Sequence, residues 1–496
     1  MEGFSKYCNF NVLTLCLMWH SSCKILKLVC SYYSDNKLSL LIQEGGYMET
    51  YGIISLLPVA VVIIVALLTK RTVEPLILGA VVGYVLVYKA HFFTEILNGF
   101  TTVVADNAWY ILVFGMFGIV AKLLEESGSA LGFAELGAKV ARTKGLTILV
   151  TWLMGIAVFI DDYLNNLGVG TAMRNISDKN KIPREQLAYT INSTGAAVCV
   201  LIPMSSWGIF MISQMEELGV VQNGSGLSAY IHAIPFMFYP LAAVILVPLI
   251  GFGVIPLWGP MKKAAQRAEA GDPYSPFYHE SHEELEGYSI KPSSPWFFIV
   301  PLGAAIVVTL VVNDILIGMT IGALVCLAMY LPAKIMTPGK FFDTCWSGWE
   351  SMVVVTAIVI SAFVLQEANT QLGLTEFVIG VFEPILSAKI LPMAAFMICA
   401  FIAMCTGSFW GTAAIAFPIL VPLGNAIGAD PILISAAIIS AGAFGSHACF
   451  YGDAATLACA ATGCSNAEYA KTALPIIVLP TVVAIIAFLV CGIVMC

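Results

Sequence analysis

Two adjacent aspartates follow an uncharged apolar run in the first half of the sequence. Residues 159–175 read FIDDYLNNLGVGTAMRN, and residues 146–160 contain no charged side chain. An ionisable side chain within an apolar segment is costly and usually functional. The carboxylates of Asp161 and Asp162 and the amide of Asn165 are hard oxygen ligands, which suit a small cation such as Na⁺ rather than zinc. Because two adjacent acids disfavour double ionisation, the pair could exchange a cation for protons.

Three further apolar segments are interrupted by hydroxyl, amide and glycine residues. They contain NSTG at 192–195, TGSFWGT at 406–412 and SAGAFGSHACFYGDAAT at 440–456. Backbone that leaves helical geometry inside a bilayer must be buried in protein or line a wet cavity, so such breaks commonly form binding sites. The candidate cation- and proton-binding residues are Asp161, Asp162, Asn165, Asn192, Ser193, Thr194, Thr406, Ser408, Thr412, Ser446, His447 and Asp453. We expect Na⁺ as a metal on Asp161, Asp162 and Asp453, and no cofactor besides the transported Na⁺ and H⁺.

Each candidate also has a structural interpretation. Serine and threonine can hydrogen-bond back to helix carbonyls, and Asp453 can cap a helix. His447 can be a packing residue instead of a proton-linked group. Asp161 and Asp162 can belong to an ordinary interfacial loop.

Composition identifies an integral membrane protein. Of the 496 residues, 59% are apolar and 11% are charged, whereas soluble proteins carry roughly 25% charged residues. Apolar runs long enough to cross a bilayer as helices recur along the sequence. The net charge of −8 comes without a basic stripe, which excludes a nucleic-acid partner. The lipid bilayer is therefore the expected environment.

The apolar runs predict an all-α polytopic membrane protein with about ten transmembrane helices and two re-entrant hairpins. The predicted crossings are residues 51–69, 73–88, 108–124, 186–211, 230–257, 295–312, 314–331, 351–366, 430–463 and 473–496. Treating 146–180 and 390–425 as hairpins places the Lys and Arg residues after position 47 on one side, except Lys89 and Lys389. That side is the cytoplasm, because cytoplasmic loops are enriched in basic residues.

The two halves resemble each other, which predicts an internal repeat. LILGAVVG at 76–83 matches ILIGMTIG at 315–322, and Gly170 with Thr171 matches Gly411 with Thr412. Five crossings in each half would insert the halves with inverted topology. The predicted organisation is an N-terminal extension at 1–47, where Met48 is the expected start, and a first repeat at 48–260. A cytoplasmic linker at 261–294 and a second repeat at 295–496 follow.

Three segments resemble a known family. FIDDYLNNLGVGTAMRNISDKNKIPREQLAYTINSTGAAV, GSFWGTAAIAFPI and FGSHACFYGDAATLACAATG are similar to the signature segments of NhaC-type sodium/proton antiporters of the ion transporter superfamily. The resemblance covers most of 48–496. It implies a multi-pass, Na⁺-exporting Na⁺/H⁺ antiporter of the bacterial cytoplasmic (inner) membrane that works by alternating access. By position it indicates Asp161, Asp162, Asn165, Ser193, Thr194, Ser446, His447 and Asp453. The chain departs from the family pattern at Asn192, where members often carry aspartate.

Two other functions stay open. One is Na⁺- or H⁺-coupled transport of an amino acid or small carboxylate. No Lys or Arg lies deep in a predicted crossing, so a carboxylate would sit on helix N-termini and hydroxyls. The remote alternative is an intramembrane aspartyl protease, because FYGD at 450–453 faintly resembles a GxGD motif. We expect a transporter without enzymatic activity whose partners are Na⁺, protons, the bilayer and, in a homodimer, a second copy of the chain.

Overall fold

The computed structural model describes residues 51–69, 71–273, 291–312, 314–382 and 387–495. The N-terminal extension predicted at 1–47 lies outside the described residues, as does half of the predicted linker. Within the described residues the regular structure is helical, apart from one isolated β-bridge between Gln222 and Ser225. The prediction of an all-α protein is therefore confirmed.

The first half of the described chain contains twelve α-helices. They are α1 (Leu57–Thr69), α2 (Val73–Tyr88), α3 (Phe92–Asp106), α4 (Ala108–Glu126), α5 (Ser129–Val140), α6 (Lys144–Ala157), α7 (Asp162–Lys179), α8 (Arg184–Leu201), α9 (Ser206–Glu217), α10 (Gly226–Ala233), α11 (Phe238–Gly251) and α12 (Gly259–Glu269). Helix α12 is amphipathic and leads into the predicted linker, whereas α8 and α9 are two parts of one interrupted apolar segment.

The second half of the described chain contains ten α-helices. They are α13 (Trp296–Val312), α14 (Ile315–Tyr330), α15 (Pro338–Ser351), α16 (Val353–Gln371), α17 (Leu374–Phe382), α18 (Leu391–Thr406), α19 (Phe409–Ile427), α20 (Pro431–Ala448), α21 (Asp453–Thr462) and α22 (Asn466–Met495). The matched sequences at 76–83 and 315–322 lie in α2 and α14. Helices α1–α9 and the breaks between them follow the same order as α13–α21, which agrees with a repeat. The inverted orientation of the halves stays a prediction.

Seven segments of the described chain are long and apolar enough to cross a membrane, and an eighth qualifies if α10 and α11, which meet at a 54° bend, form one span. Shorter apolar helices include α6, α13, α14 and α18. The multi-span membrane protein is confirmed, and the count of ten crossings stays a prediction. The sequence did not predict α3 and α15, because charged and polar residues interrupt their apolar character. Both are amphipathic helices.

The helices pack in two groups. The frame helices are α1–α4 and α13–α16, in which α2 packs on α16 and α4 packs on α14 and α15. The core helices are α6–α9, α11 and α18–α22, in which α8 contacts α7, α11 and α21, and α20 contacts α18 and α19. Over an 18-residue apolar window, 94% of the residues are buried in the segment that contains α20 and α21, and 89% in the segment that contains α8 and α9. Each group therefore combines helices from both halves of the sequence.

Candidate functional site

Both predicted hairpins contain a non-helical turn at their polar tip. Helix α6 ends at Ala157, and α7 begins after Asp161, whose carboxylate accepts a 2.9 Å hydrogen bond from the Tyr163 backbone N–H. Helix α18 ends at Thr406, and its C-cap is Gly407, whose φ of 69° lies in the left-handed region that favours glycine. Ser408 then caps α19 by accepting a 3.0 Å hydrogen bond from the Gly411 N–H. Local chemistry thus explains both breaks, since aspartate and serine are preferred N-caps.

A second pair of breaks interrupts the two most buried apolar segments. Residues 202–205 separate α8 from α9, and residues 449–452 separate α20 from α21. Ser205 caps α9 by accepting a 2.9 Å hydrogen bond from the Gly208 N–H, and its hydroxyl donates to the Cys199 carbonyl. Asp453 is the first residue of α21. The interruption predicted at 192–195 lies inside α8, and the break of that segment falls at 202–205 instead, whereas the interruption predicted within 440–456 falls at 449–452.

The four breaks open into one cavity between the frame and core helices. Its volume is about 730 Å³. The first residues of α7, α9, α19 and α21 all line it. Six of the predicted site residues belong to this lining: Asp161, Asp162, Thr406, Ser408, Ser446 and Asp453. Folding therefore brings hairpin tips and broken helices from both halves of the sequence to a common space.

Side-chain hydrogen bonds join the breaks across this cavity. The Ser206 hydroxyl at the start of α9 donates to Asp161 Oδ2 at 3.3 Å. The Tyr163 hydroxyl of α7 donates to Asp453 Oδ2 at 3.1 Å, linking the first hairpin to the second half of the chain. Asp162 is 4% exposed and Asp161 is partly buried. The aspartates are thus held by polar groups contributed by other broken helices.

Helix ends compensate part of the charge of these aspartates. Asp161 is the N-cap of α7, Asp162 is its first residue, and Asp453 is the first residue of α21. A helix N-terminus carries about +0.5 elementary charge. Each break also brings the C-terminus of the preceding helix, which carries about −0.5, so the helix ends do not offset all three carboxylates. The ionised cavity therefore keeps a net negative charge, which Na⁺ or protons neutralise.

The aspartates predicted to bind Na⁺ do not form the compact metal site that the sequence suggested. Among the residues that the structure describes, no three His, Cys, Asp or Glu side chains cluster closely enough to hold one metal ion. Asp161, Asp162 and Asp453 share the cavity without forming a single coordination group. A Na⁺ ion there would complete its ligand shell with hydroxyl, amide or carbonyl oxygens, which suit this hard cation.

The cavity also contains charged residues that sequence reasoning missed. Arg71 and Lys122 line it together with Glu74 and Glu125. Arg71 Nη1 lies 2.5 Å from Glu74 Oε1, and Lys122 Nζ lies 2.9 Å from Glu125 Oε2. Lys122 and Glu125 lie one turn apart in α4, a spacing that indicates pairing, whereas Arg71 precedes α2. The sequence shows no link between either pair and the aspartates. Their place at the cavity depends on packing of the frame helices.

Three predicted residues donate hydrogen bonds to backbone carbonyls instead of lining the cavity. Asn165 Nδ2 donates to the Gly155 and Val158 carbonyls at 2.5 and 3.2 Å, which satisfies the backbone freed at the end of α6. The Thr194 hydroxyl donates to the Thr190 carbonyl at 3.1 Å, and the Thr412 hydroxyl donates to the Ser408 carbonyl at 2.8 Å. Back-bonding of this kind is the structural alternative for hydroxyl side chains.

The remaining predicted residues, Asn192, Ser193 and His447, form a buried network behind the cavity. His447 Nε2 lies 3.0 Å from Ser193 Oγ, and His447 Nδ1 lies 2.8 Å from the Tyr239 hydroxyl. Asn192 Nδ2 donates to the Tyr469 hydroxyl at 2.7 Å, and that hydroxyl donates to the His447 carbonyl at 2.9 Å. The network connects α8, α11, α20 and α22.

The hydrogen bonds assign a neutral tautomer to His447. The Ser193 hydroxyl donates to the Tyr189 carbonyl at 2.6 Å, so its oxygen accepts from His447 Nε2–H. Nδ1 then accepts from the Tyr239 hydroxyl. Both ring nitrogens are satisfied without a second proton. This geometry favours a structural role for His447 over the predicted proton-binding role.

Comparisons with known proteins agree with this architecture. Residues 198–493, more than half of the chain, match the model of the Na⁺/H⁺ antiporter family. An uncharacterized protein of Haemophilus influenzae is 22% identical over 466 residues, covering 85% of this chain and 87% of that protein. The arginine/ornithine antiporter ArcD of Halobacterium salinarum is 29% identical over 150 residues, covering 29% of this chain and 28% of ArcD.

A solved structure has a similar fold. The Alcanivorax borkumensis YdaH transporter aligns with a TM-score of 0.51 at 13% identity, covering 81% of this chain and 87% of YdaH. The likeness concerns the fold alone. Together with the family match and the apolar spanning helices, it completes the assignment: the chain is an integral membrane protein that belongs to the Na⁺/H⁺ antiporter family.

Proposed function

We propose that this protein exports Na⁺ across the bacterial cytoplasmic membrane in exchange for protons, by alternating access. The observation that carries the proposal is the meeting of Asp161, Asp162 and Asp453 at helix breaks around one cavity. No resident cofactor is required, because Na⁺ and H⁺ are the transported ions. Family membership favours transport over the protease alternative.

Charge balance explains why the two ions compete. Na⁺ and protons each neutralise the carboxylates of Asp161, Asp162 and Asp453, so the two ions compete for the same cavity. An unloaded cavity keeps an uncompensated charge, which is costly to move through a low-dielectric environment. The protein therefore crosses between its two states mainly when loaded, and this requirement couples Na⁺ to H⁺.

The energies suffice for exchange. A membrane potential of 100 mV is worth about 2.3 kcal/mol per charge, and one pH unit is worth about 1.4 kcal/mol per proton. Export of one Na⁺ against two protons moves one net charge inward, so both the potential and the pH gradient drive it.

The division into frame and core helices supports the movement. The cavity lies between the groups, and polar contacts that cross from frame to core include the 2.9 Å hydrogen bond between Thr72 Oγ1 and Ser408 Oγ. The Tyr110 hydroxyl of α4 also donates to Glu216 of α9. Both bonds can break and re-form at low cost, because hydroxyl groups find water or other partners in an open cavity. We propose that the core helices move as a unit against the frame.

Proton flux across the liposome membrane tests the proposal. Full-length protein is reconstituted with an internal pH dye, and an external Na⁺ pulse is compared with K⁺ and choline. We expect a Na⁺-specific rise in internal pH that is lost in the Asp161→Asn, Asp162→Asn double variant. Asp343→Asn is the matched control, since Asp343 is an exposed residue of α15 outside the cavity, and its rate should stay within about twofold. A normal rate in the double variant would refute the assignment.

Coupled transport of an organic solute is the second candidate function. A cavity of about 730 Å³ lies within the roughly 300–1,000 Å³ range of small-molecule sites. The partial similarity to an arginine/ornithine antiporter also favours it. Malate and an amino acid mixture therefore belong in the same flux experiment. A change in internal pH that requires one of these solutes, together with no change for Na⁺ alone, would indicate that the protein is a solute carrier.

A further inference from the structure

We propose that the cavity also takes an organic cation, a solute with an ammonium or guanidinium group on an apolar body, as a second cargo. The inference rests on the proposed function, because it assigns this cargo to the same aspartates that exchange Na⁺ and protons. The sequence left open an amino acid or a small carboxylate as the solute. This inference chooses between them, because the cavity then recognises the positive group of the solute and not a carboxylate.

The size of the cavity is the first argument. A water molecule takes about 30 Å³ in the liquid, so a volume of about 730 Å³ holds roughly two dozen waters. A dehydrated Na⁺ site needs only the space inside one shell of oxygen ligands. The remaining volume is large enough for an organic molecule that keeps its charged end at the aspartates.

The charge of the lining selects a cation. Asp161, Asp162 and Asp453 lie on the core side, whereas the two basic residues of the lining lie on the frame side and are each paired with a glutamate at the same helix end. An anionic solute would have to compete with these glutamates for Arg71 and Lys122. A cationic group meets carboxylates whose partners are the neutral hydroxyls of Ser206 and Tyr163.

Aromatic rings form the adjoining wall. Trp207 of α9 stacks on Phe409 of α19 with ring centroids 4.0 Å apart, and Trp410 meets Trp207 at 5.9 Å and 60°. All three rings and Tyr163 line the cavity beside the aspartates. Tryptophan is the ring that binds cations best through its face. Aromatic faces next to carboxylates recognise an organic cation more strongly than they recognise Na⁺, because they also bury its apolar body.

The Trp410 ring is the part of this wall that is best placed for substitution. It is half-buried, whereas Phe409 is buried at the hairpin tip. Replacing Trp410 by leucine keeps an apolar surface and removes the π face. Replacing it by phenylalanine keeps a face of smaller area. These two variants separate recognition by the ring from simple filling of space.

Counterflow in liposomes tests the inference without a pH artefact from weak bases. Full-length protein is reconstituted into liposomes loaded with unlabelled solute, and uptake of the same labelled solute is followed for agmatine, arginine and malate. Agmatine has the cationic groups without a carboxylate, so comparison with arginine shows whether a zwitterion is also accepted. We expect agmatine counterflow that external Na⁺ inhibits, and no malate counterflow.

Variants sharpen the result. Asp453→Asn should lower agmatine counterflow by about tenfold or more, as expected for loss of a charged partner. Trp410→Leu should lower it by about fivefold, and Trp410→Phe should recover most of that loss. Equal rates in the leucine and phenylalanine variants would overturn the role of the aromatic wall.

The outcomes separate this inference from the proposed function. Na⁺-driven proton flux without counterflow of agmatine or arginine would refute the second cargo and leave Na⁺/H⁺ exchange standing. Agmatine counterflow in a protein that shows no Na⁺-driven flux would support the cation site and refute the proposed Na⁺ exchange. Malate counterflow without agmatine counterflow would overturn the cationic selectivity.

Discussion

His447 offers the sharpest test of which predicted residues bind protons and which hold the core together. The change is His447→Phe, which keeps a ring of similar shape and removes both ring nitrogens. The imidazole is fully buried and hydrogen-bonded to Ser193 and Tyr239. If the residue is structural, its replacement should weaken the core helices, and the pH dependence of transport should stay unchanged.

The structure sets the size of the effect. Each side-chain hydrogen bond inside a membrane protein contributes about 0.6 kcal/mol on average and up to about 1.7 kcal/mol. His447→Phe removes two such bonds and leaves the Tyr239 hydroxyl buried without its partner, which adds about 1 kcal/mol or more. Ser193 loses less, because its hydroxyl still donates to the Tyr189 carbonyl. We expect a loss of roughly 2–3 kcal/mol in the free energy of unfolding.

A double-mutant cycle measures the coupling directly. Unfolding in detergent is followed for the wild type, His447→Phe, Tyr239→Phe and the double variant. Because the double variant removes donor and acceptor together, its destabilisation should be less than the sum of the single effects by about 1 kcal/mol. Additive effects would show that the 2.8 Å contact between Nδ1 and the Tyr239 hydroxyl contributes nothing. Unchanged stability with a shifted pH profile of Na⁺/H⁺ exchange would refute the structural role.

Two further predictions concern the ends of the core helices. Arg267→Ala should destabilise the protein by roughly 3–5 kcal/mol, because it leaves a buried carboxylate without its partner. Glu185 is 2% exposed, and the Arg267 guanidinium contacts both of its carboxylate oxygens, at 2.8 and 2.9 Å. Lys144→Ala, which breaks a largely exposed ion pair, should lower the free energy of unfolding by at most about 1 kcal/mol in detergent. Equal losses in the Arg267 and Lys144 variants would contradict the expectation that burial makes the loss of an ion-pair partner more costly. Ser205→Ala should lower stability by about 1 kcal/mol, because α9 loses its cap. Ser205→Asn, which supplies another capping side chain, should restore the stability in thermal unfolding, and no recovery would contradict the capping role.

Several features of the site were predictable from residue types along the chain. Polar residues within apolar runs, as at Asp161 and Ser408, mark helix breaks, because aspartate and serine compete with helical hydrogen bonding and cap the next helix. The matched segments at 76–83 and 315–322 indicated a repeat, and both fall in equivalent helices. Local chemistry decides these features, so the sequence alone reveals them.

The sequence could not sort the predicted site residues into their roles. Ser408 and Thr412 are four residues apart, yet Ser408 lines the cavity while Thr412 donates to a helix carbonyl. Ser446 and His447 are adjacent, yet one lines the cavity and the other lies in the buried network. The side chains of consecutive helical residues point about 100° apart. What each of these side chains contacts is decided by segments that are distant along the chain.

The sequence by itself determined that the chain is a membrane protein with polar helix breaks, because hydropathy and capping act over a few neighbouring residues. Only the tertiary structure decided that four breaks share one cavity and that Tyr163 reaches Asp453, 290 positions away along the chain. The tertiary structure also places Arg71 and Lys122 in the lining of this cavity and His447 in the buried network behind it. These relations depend on how frame and core helices from both halves pack, which no short segment encodes.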